Sequence, residues 1–321
     1  MIPFKSASLV RLAAAGVLVA FLGLPAAASA AEAGKAAVVA STVSVEPNFL
    51  IGTLLVQRIG ERGTPIILVP GLASGAWAWQ DVVRGLEDSH VVYVVTLAGF
   101  DGRPAVSGDL MKQALLSLKG LIQTQKLDRP VLIGHSLGGV LSLALAQNEP
   151  GLVSGVISID GLPVFPGTES MPAAQRPAMV ESIKSGMVGL DHEQFASQQL
   201  QYMRGIGVID PAVAEKLAKL SSRSDPAATA DYMAETLMID LRPNLGKITV
   251  PVLLMSPYNE SDGAARKLTE AAKTAYYRSL MAGTPKVDVV SISPARHFAM
   301  FDQPKLVGEA IASFLKALGR Q

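Results

Sequence analysis

The chain has 321 residues, 49 % hydrophobic and 17 % charged, with no cysteine and a formal net charge of +1. That length suits one large mixed domain. The absence of cysteine excludes disulfides and a lipid-bearing N-terminal thiol, and the near-neutral charge without a basic stripe argues against nucleic acid as a partner.

Lys5 and Arg11 make a positive start, residues 12–24 form an uncharged apolar run, and Ala28-Ser29-Ala30 supplies a small-x-small cleavage site. This layout predicts a cleaved signal peptide over 1–30 and export to the periplasm or beyond the cell. No later apolar run reaches membrane-spanning length, so no stable span is expected after cleavage. The Ala-rich stretch 31–45 reads as a mobile mature N-terminus, and 46–321 as the folded domain.

Strands are expected at 50–57, Pro65–Val69, Val91–Thr96, 131–133, 156–159, 252–255 and Val287–Ile292. Most are continuous apolar runs, as suits central strands covered on both faces. Helical segments lie between them at 81–87, 109–124, 137–147 and 264–281. A terminal helix places Val307, Ile311, Phe314, Leu315 and Leu318 on one face. Alternation of this kind predicts an α/β fold with a doubly wound, mostly parallel sheet.

One segment interrupts the alternation. From about 163 to 244 there are only helical pieces punctuated by Pro and Gly, containing Met179, Met187, Met203, Met233 and Met238 with Phe195, Tyr202 and Tyr232. Some of these belong to ordinary core. An insertion this long is expected to form a helical lid whose underside gives an apolar pocket wall.

The strongest local signal is Gly134-His135-Ser136-Leu137-Gly138-Gly139, directly after an apolar strand and directly before a helical run. A serine on so sharp a turn is forced into an unfavourable backbone conformation, and Gly134 and Gly138 clear the space around it. The same turn puts Ser136 at a helix N-terminus, where the Leu137 N–H can face a developing oxyanion.

This strand–turn–helix pattern resembles the nucleophile elbow of the α/β-hydrolase fold family, in its esterase- and lipase-like branch with a serine nucleophile. The resemblance extends over nearly the whole mature chain. It implies Ser136 as nucleophile and His297 as general base, the latter because Ala295-Arg296-His297-Phe298 resembles the family's histidine loop. It also implies a first oxyanion loop at Ile67-Leu68-Val69-Pro70-Gly71-Leu72, acting through the Leu72 backbone N–H. Pro70 stands where the family often has His, and Ala295-Arg296 where it usually has Gly. The other histidines fit less well: His135 is a packing neighbour inside the elbow, His90 opens a strand and His192 lies in the insertion.

The third member of a catalytic triad stays open among three carboxylates. Asp160 ends the strand next to the nucleophile strand, where parallel sheets gather active groups and a carboxylate needs a partner. Glu260 and Asp262 follow the strand that more commonly bears the family's acid, in a polar turn where they could equally be solvated or cap a helix. Asp160 is preferred, then Glu260, then Asp262.

Neither a metal nor a nucleotide cofactor is implied, since zincin and P-loop motifs are absent. Ser313 and Lys316 form an S-x-x-K pair on the amphipathic terminal helix without its companion motifs. The expected activity is hydrolysis of a small-molecule ester, amide or lactone with an apolar portion. Glu181, Asp191, Glu193 and Asp231 in the insertion keep open a proline-releasing peptidase, which would need carboxylates for a substrate amine. A silent ligand-binding member of the fold is a further alternative.

Overall fold

The computed structural model describes residues 48–187 and 189–319, so the expected signal peptide 1–30 and the stretch 31–45 lie outside the described residues. Apolar runs bounded by Gly, Pro and Asp assemble into one 8-stranded sheet. Its strands are β1 (Phe49–Ile51), β2 (Leu54–Ile59), β3 (Pro65–Val69), β4 (Val91–Thr96), β5 (Val131–His135), β6 (Gly155–Ile159), β7 (Val252–Pro257) and β8 (Val287–Ile292). They lie in the order β1-β2-β4-β3-β5-β6-β7-β8. The β1–β2 and β2–β4 pairs are antiparallel and all others are parallel.

The expected strand 50–57 is in fact a hairpin. Gly52 turns the chain with φ +55°, a left-handed conformation that favours glycine, and Phe49 pairs back onto Val56.

The helices follow in chain order as α1 (Gln80–Leu86), α2 (Leu110–Thr124), α3 (Leu137–Asn148), α4 (Arg176–Ser185), α5 (His192–Tyr202), α6 (Pro211–Ser221), α7 (Pro226–Met238), α8 (Glu260–Ala265), α9 (Glu270–Leu280), α10 (Ala299–Asp302) and α11 (Pro304–Leu318). Successive strand residues feed opposite faces of the sheet. Ile67, Val69, Leu132, Val156 and Leu254 pack with α2, α3 and α9. Ile66, Leu68, Ile133, Ile157 and Leu253 pack with α1 and α11. Burial on both faces explains why the inner strands carry no polar alternation.

The expected single helix 264–281 divides into α8 and α9. Lys267 between them is left-handed at φ +53°, and the Thr269 hydroxyl caps α9 by accepting from Ala272 N at 3.2 Å.

Between β6 and β7 the insertion is helical, as its Pro and Asp punctuation implies. Asp191 and Gln194 form a capping box on α5, while Asp210 and Asp225 cap α6 and α7, each followed by a proline at the first helical position. Its two ends meet at a neck, where Val164 bridges to Asp240 and Leu241 N donates to Pro163 O at 2.8 Å. Among the described residues no helix is long and apolar enough to cross a membrane.

Candidate active site

The strand order reverses around β3, which has β4 on one side and β5 on the other. Loops leaving the C-terminal ends of β3 and β5 therefore diverge around a crevice, the usual ligand position in such sheets. Ser136 follows β5 directly and sits at φ +51°, ψ −118° as the cap residue of α3. A non-glycine residue held there stores about 1–3 kcal/mol. Its N–H is fixed to Ile159 O at 2.9 Å, which ties the elbow to the end of β6.

Four glycines let the surrounding backbones close on this serine. A β-carbon on Gly134 would lie 2.1 Å from Gly138 O, and one on Gly138 would lie 2.0 Å from Val69 O. At Gly139 it would lie 2.2 Å from Ser158 Oγ, and at Gly161 2.5 Å from Ser136 O. The β3 loop is equally close, since a β-carbon on Gly71 would lie 2.7 Å from His135 Nδ1 and 3.2 Å from Ser136 Cβ. Leu72 is thereby placed beside the elbow. Leu137 N–H belongs to the first turn of α3, which has no acceptor one turn earlier.

Leu72, Ser136, Leu137, Asp160 and His297 all line one cavity of about 260 Å³. Its wall is apolar around Val140, Leu162, Val164, Met187 and Met233. Of the aromatic and methionine residues expected to face a pocket, Met187, Tyr202 and Met233 do so. Met203, Phe195 and Tyr232 are instead buried in packing, and Met238 is exposed. Glu181, Asp191, Glu193 and Asp231 do not line the cavity; Asp191 caps α5 and Asp231 pairs with Lys184.

The three carboxylates separate clearly. Asp160 Oδ2 lies 2.5 Å from His297 Nδ1, with the two side chains 12 % and 15 % exposed. Its Oδ1 accepts from the Tyr277 hydroxyl, and its backbone is left-handed at φ +51°. Asp262 instead takes Arg296, with Nε–Oδ2 at 2.8 Å and Nη2–Oδ1 at 3.0 Å. Glu260 is exposed on the first turn of α8.

Burial pushes the Asp160 carboxyl upward, but His297, Lys273 and the Tyr277 hydroxyl outweigh it, so its pKa lies below the usual carboxylate value. Tyr277 moves the other way: burial and the adjacent Asp160 raise its pKa, keeping the phenol protonated as a donor.

His135 donates through Nε2 to His297 O at 3.0 Å, and its ring lies 4.6 Å from that of His297. Its Nδ1 is buried with no hydrogen-bond partner. Burial and then the neighbouring His297 push its pKa down to about 3. His135 is thus a neutral prop under the His297 loop.

That loop is also fastened to the insertion. A π-helical turn at Met203–Gly207 receives His297 N at Ile206 O (3.1 Å) and Phe298 N at Gly207 O (2.9 Å). Arg296 completes the clasp by donating to Arg204 O at 2.9 Å and Val208 O at 3.2 Å. Its N–H donates to Asp302 at 2.8 Å. The residue replacing the family's usual glycine therefore joins three segments around His297.

Tyr277 and Lys273 are site residues that reading the sequence missed, and it gave no close-approach role to Gly139 and Gly161. Lys273 and Tyr277 do carry one signal, four residues apart on a single helix face. Among the described residues no cluster of His, Cys, Asp and Glu is arranged to hold a metal ion.

Curated relatives align over most of the chain. A pimeloyl-[acyl-carrier protein] methyl ester esterase of Pectobacterium carotovorum is 23% identical over 272 residues, 83% of this chain and 100% of that protein. A carbendazim hydrolyzing esterase of Nocardioides sp. is 24% identical over 251 residues, 77% of this chain and 98% of that protein. Among solved structures, a thermophilic esterase from Thermogutta terrifontis superposes with a TM-score of 0.65 at 24% identity, covering 85% of this chain and 99% of that one. Residues 66–310 match the Alpha/beta hydrolase family, and the chain belongs to that family of enzymes.

Proposed function

We propose that this chain is an exported serine esterase that cleaves small-molecule esters with an apolar portion through an acyl-enzyme on Ser136. The observation that carries the reading is the 2.5 Å contact of His297 Nδ1 with Asp160 in the cavity that also holds Ser136. Asp160 fixes the imidazole with Nδ1 protonated, which leaves Nε2 as the base. His297 takes the Ser136 hydroxyl proton as Oγ adds to the ester carbonyl carbon. The resulting oxyanion accepts from the Leu72 and Leu137 N–H groups. The tetrahedral species collapses, and the departing alcohol oxygen receives the proton from His297. Water then gives a proton to His297 and attacks the acyl carbon; the carboxylic acid leaves and Ser136 recovers its proton.

The apolar wall of Val140, Leu162, Val164, Met187 and Met233 suits an aliphatic or aromatic substituent. The insertion that supplies Met187 and Met233 serves as the lid. Two similar proteins named as esterases support ester chemistry. Export rests on Lys5, Arg11, the apolar run 12–24 and Ala28-Ser29-Ala30.

The test compares Asp160→Asn, Glu260→Gln and Asp262→Asn in ester hydrolysis, with folding checked by circular dichroism. Asp160→Asn lowers kcat by about 10²–10⁴ through a mis-set histidine tautomer. Glu260→Gln stays within a few-fold of wild type, and Asp262→Asn, which loosens only the Arg296 anchor, loses less than Asp160→Asn. Near-wild-type turnover in Asp160→Asn beside a collapse in Glu260→Gln would overturn the assignment.

A further inference from the structure

Besides the apolar wall, the cavity is lined by groups that follow β7: Asn259, Asp262 and Arg266 before α9, and Lys273 and Tyr277 on it. Lys273 is only partly exposed, whereas Arg266, the other cation among them, is exposed. Its ammonium has three donors. One goes to Pro257 O at the end of β7, and the group sits 5.5 Å from the centre of the Tyr277 ring. Among the described residues no carboxylate forms an ion pair with it. The two nearby acids are committed elsewhere, Asp160 to His297 and Asp262 to Arg296.

A half-buried ammonium held by a carbonyl and an aromatic face, with Asp160 and Asp262 near enough to act on its charge but neither in ion-pair contact, is costly to keep charged. Burial lowers its pKa, and Arg266 adds a second positive charge to the same wall. Holding Asp160 ionised is one use for this charge, but that would not require Lys273 to face the substrate cavity. An incoming anion would restore the interaction that desolvation removes; carboxylates and phosphates pair strongly with such a group, and a carboxylate is the anion that a carboxylic-ester substrate most simply carries.

We propose that Lys273 forms a carboxylate-binding subsite, so that the preferred substrates are esters carrying a second, ionised carboxyl group. The proposal rests on the Ser136 esterase reading and adds the substrate class. The apolar wall then receives one end of the substrate and Lys273 the other, with the scissile ester between them at Ser136. Half-esters of dicarboxylic acids are the simplest members of that class.

The experiment compares nitrophenyl hemiglutarate with nitrophenyl valerate, which match in chain length and differ in the terminal charge. Wild type, Lys273→Met and Lys273→Arg are assayed for kcat and KM on both. Wild type favours the hemiglutarate. The ratio of the two kcat/KM values falls about tenfold or more in Lys273→Met, mainly through KM, and Lys273→Arg retains most of it. An unchanged ratio overturns the subsite. So does a parallel loss on both esters, which would mean that Lys273 serves only the Asp160–His297 pair. Wild type that cleaves neither ester overturns the esterase reading itself, whereas cleavage of both without preference overturns only the subsite. If Lys273→Met does not fold, inhibition of wild-type valerate hydrolysis decides: free glutarate competes and glutaramide does not, and equal weakness of the two overturns the proposal.

Discussion

Protonating His135 should drive acid unfolding of this protein before its carboxylates titrate. The side chain is fully buried, its Nε2–H is used on His297 O, and its pKa is lowered from 6.5 to about 3. A histidine whose folded pKa is depressed takes up its proton mainly in the unfolded state. Its stability contribution is intact above the unfolded value and is lost as pH falls from 6.5 toward 3. From the two values, the loss between about pH 7 and about pH 5 amounts to about 2 kcal/mol. Gln at this position can keep a donor near Nε2 but does not titrate. His135→Gln and wild type are therefore compared by urea unfolding across that range, each against its own stability at neutral pH. Contributions from His90 and the carboxylates are common to both proteins and cancel. Wild type loses about 2 kcal/mol more than the variant over this interval. Equal losses would falsify the account of His135 as a neutral prop.

Gly161→Ala should disable the enzyme although it adds only one methyl group, at a position that lines the cavity. Its β-carbon would meet Ser136 O at 2.5 Å and Ser158 Oγ at 2.6 Å, so the elbow must shift, with about 1–3 kcal/mol lost in stability. Unchanged ester turnover in a fully folded variant would show that the elbow tolerates movement. N-terminal sequencing of exported protein should begin at Ala31, after Ala28-Ser29-Ala30. Recovered protein that still starts at Met1 contradicts the cleavage site.

The sheet was legible because its inner strands are buried on both faces. Pro65–Val69 and Val91–Thr96 have the expected bounds, each an apolar run closed by turn residues, and so does the edge strand Val287–Ile292, where Asp288 and Ser291 interrupt the run. Local backbone exceptions were harder to read. Gly52 breaks an apolar run into a hairpin, and Lys267 adopts a left-handed conformation that its side chain does not advertise. The Thr269 cap was a usable start signal inside what otherwise scans as one long helix.

At the site, the contact between Asp160 and His297 follows from a strand-end argument: a carboxylate closing an apolar strand needs a buried partner. The roles of Asp262 and Arg296 were hidden, because their pairing joins segments 34 residues apart and depends on where the insertion's π-turn lies. Tyr277 and Lys273 were hidden for a related reason. Four-residue spacing places them together on α9, but only packing of α9 against the sheet turns that face toward Asp160.

The most direct test of the central claim is active-site labelling of the purified protein with a fluorophosphonate, followed by peptide mass spectrometry and ester turnover. The account predicts a single adduct on Ser136, with Ser136→Ala retaining the fold, losing the adduct and dropping kcat by about 10⁴ or more. An adduct on another serine, or full labelling and turnover in Ser136→Ala, would contradict it.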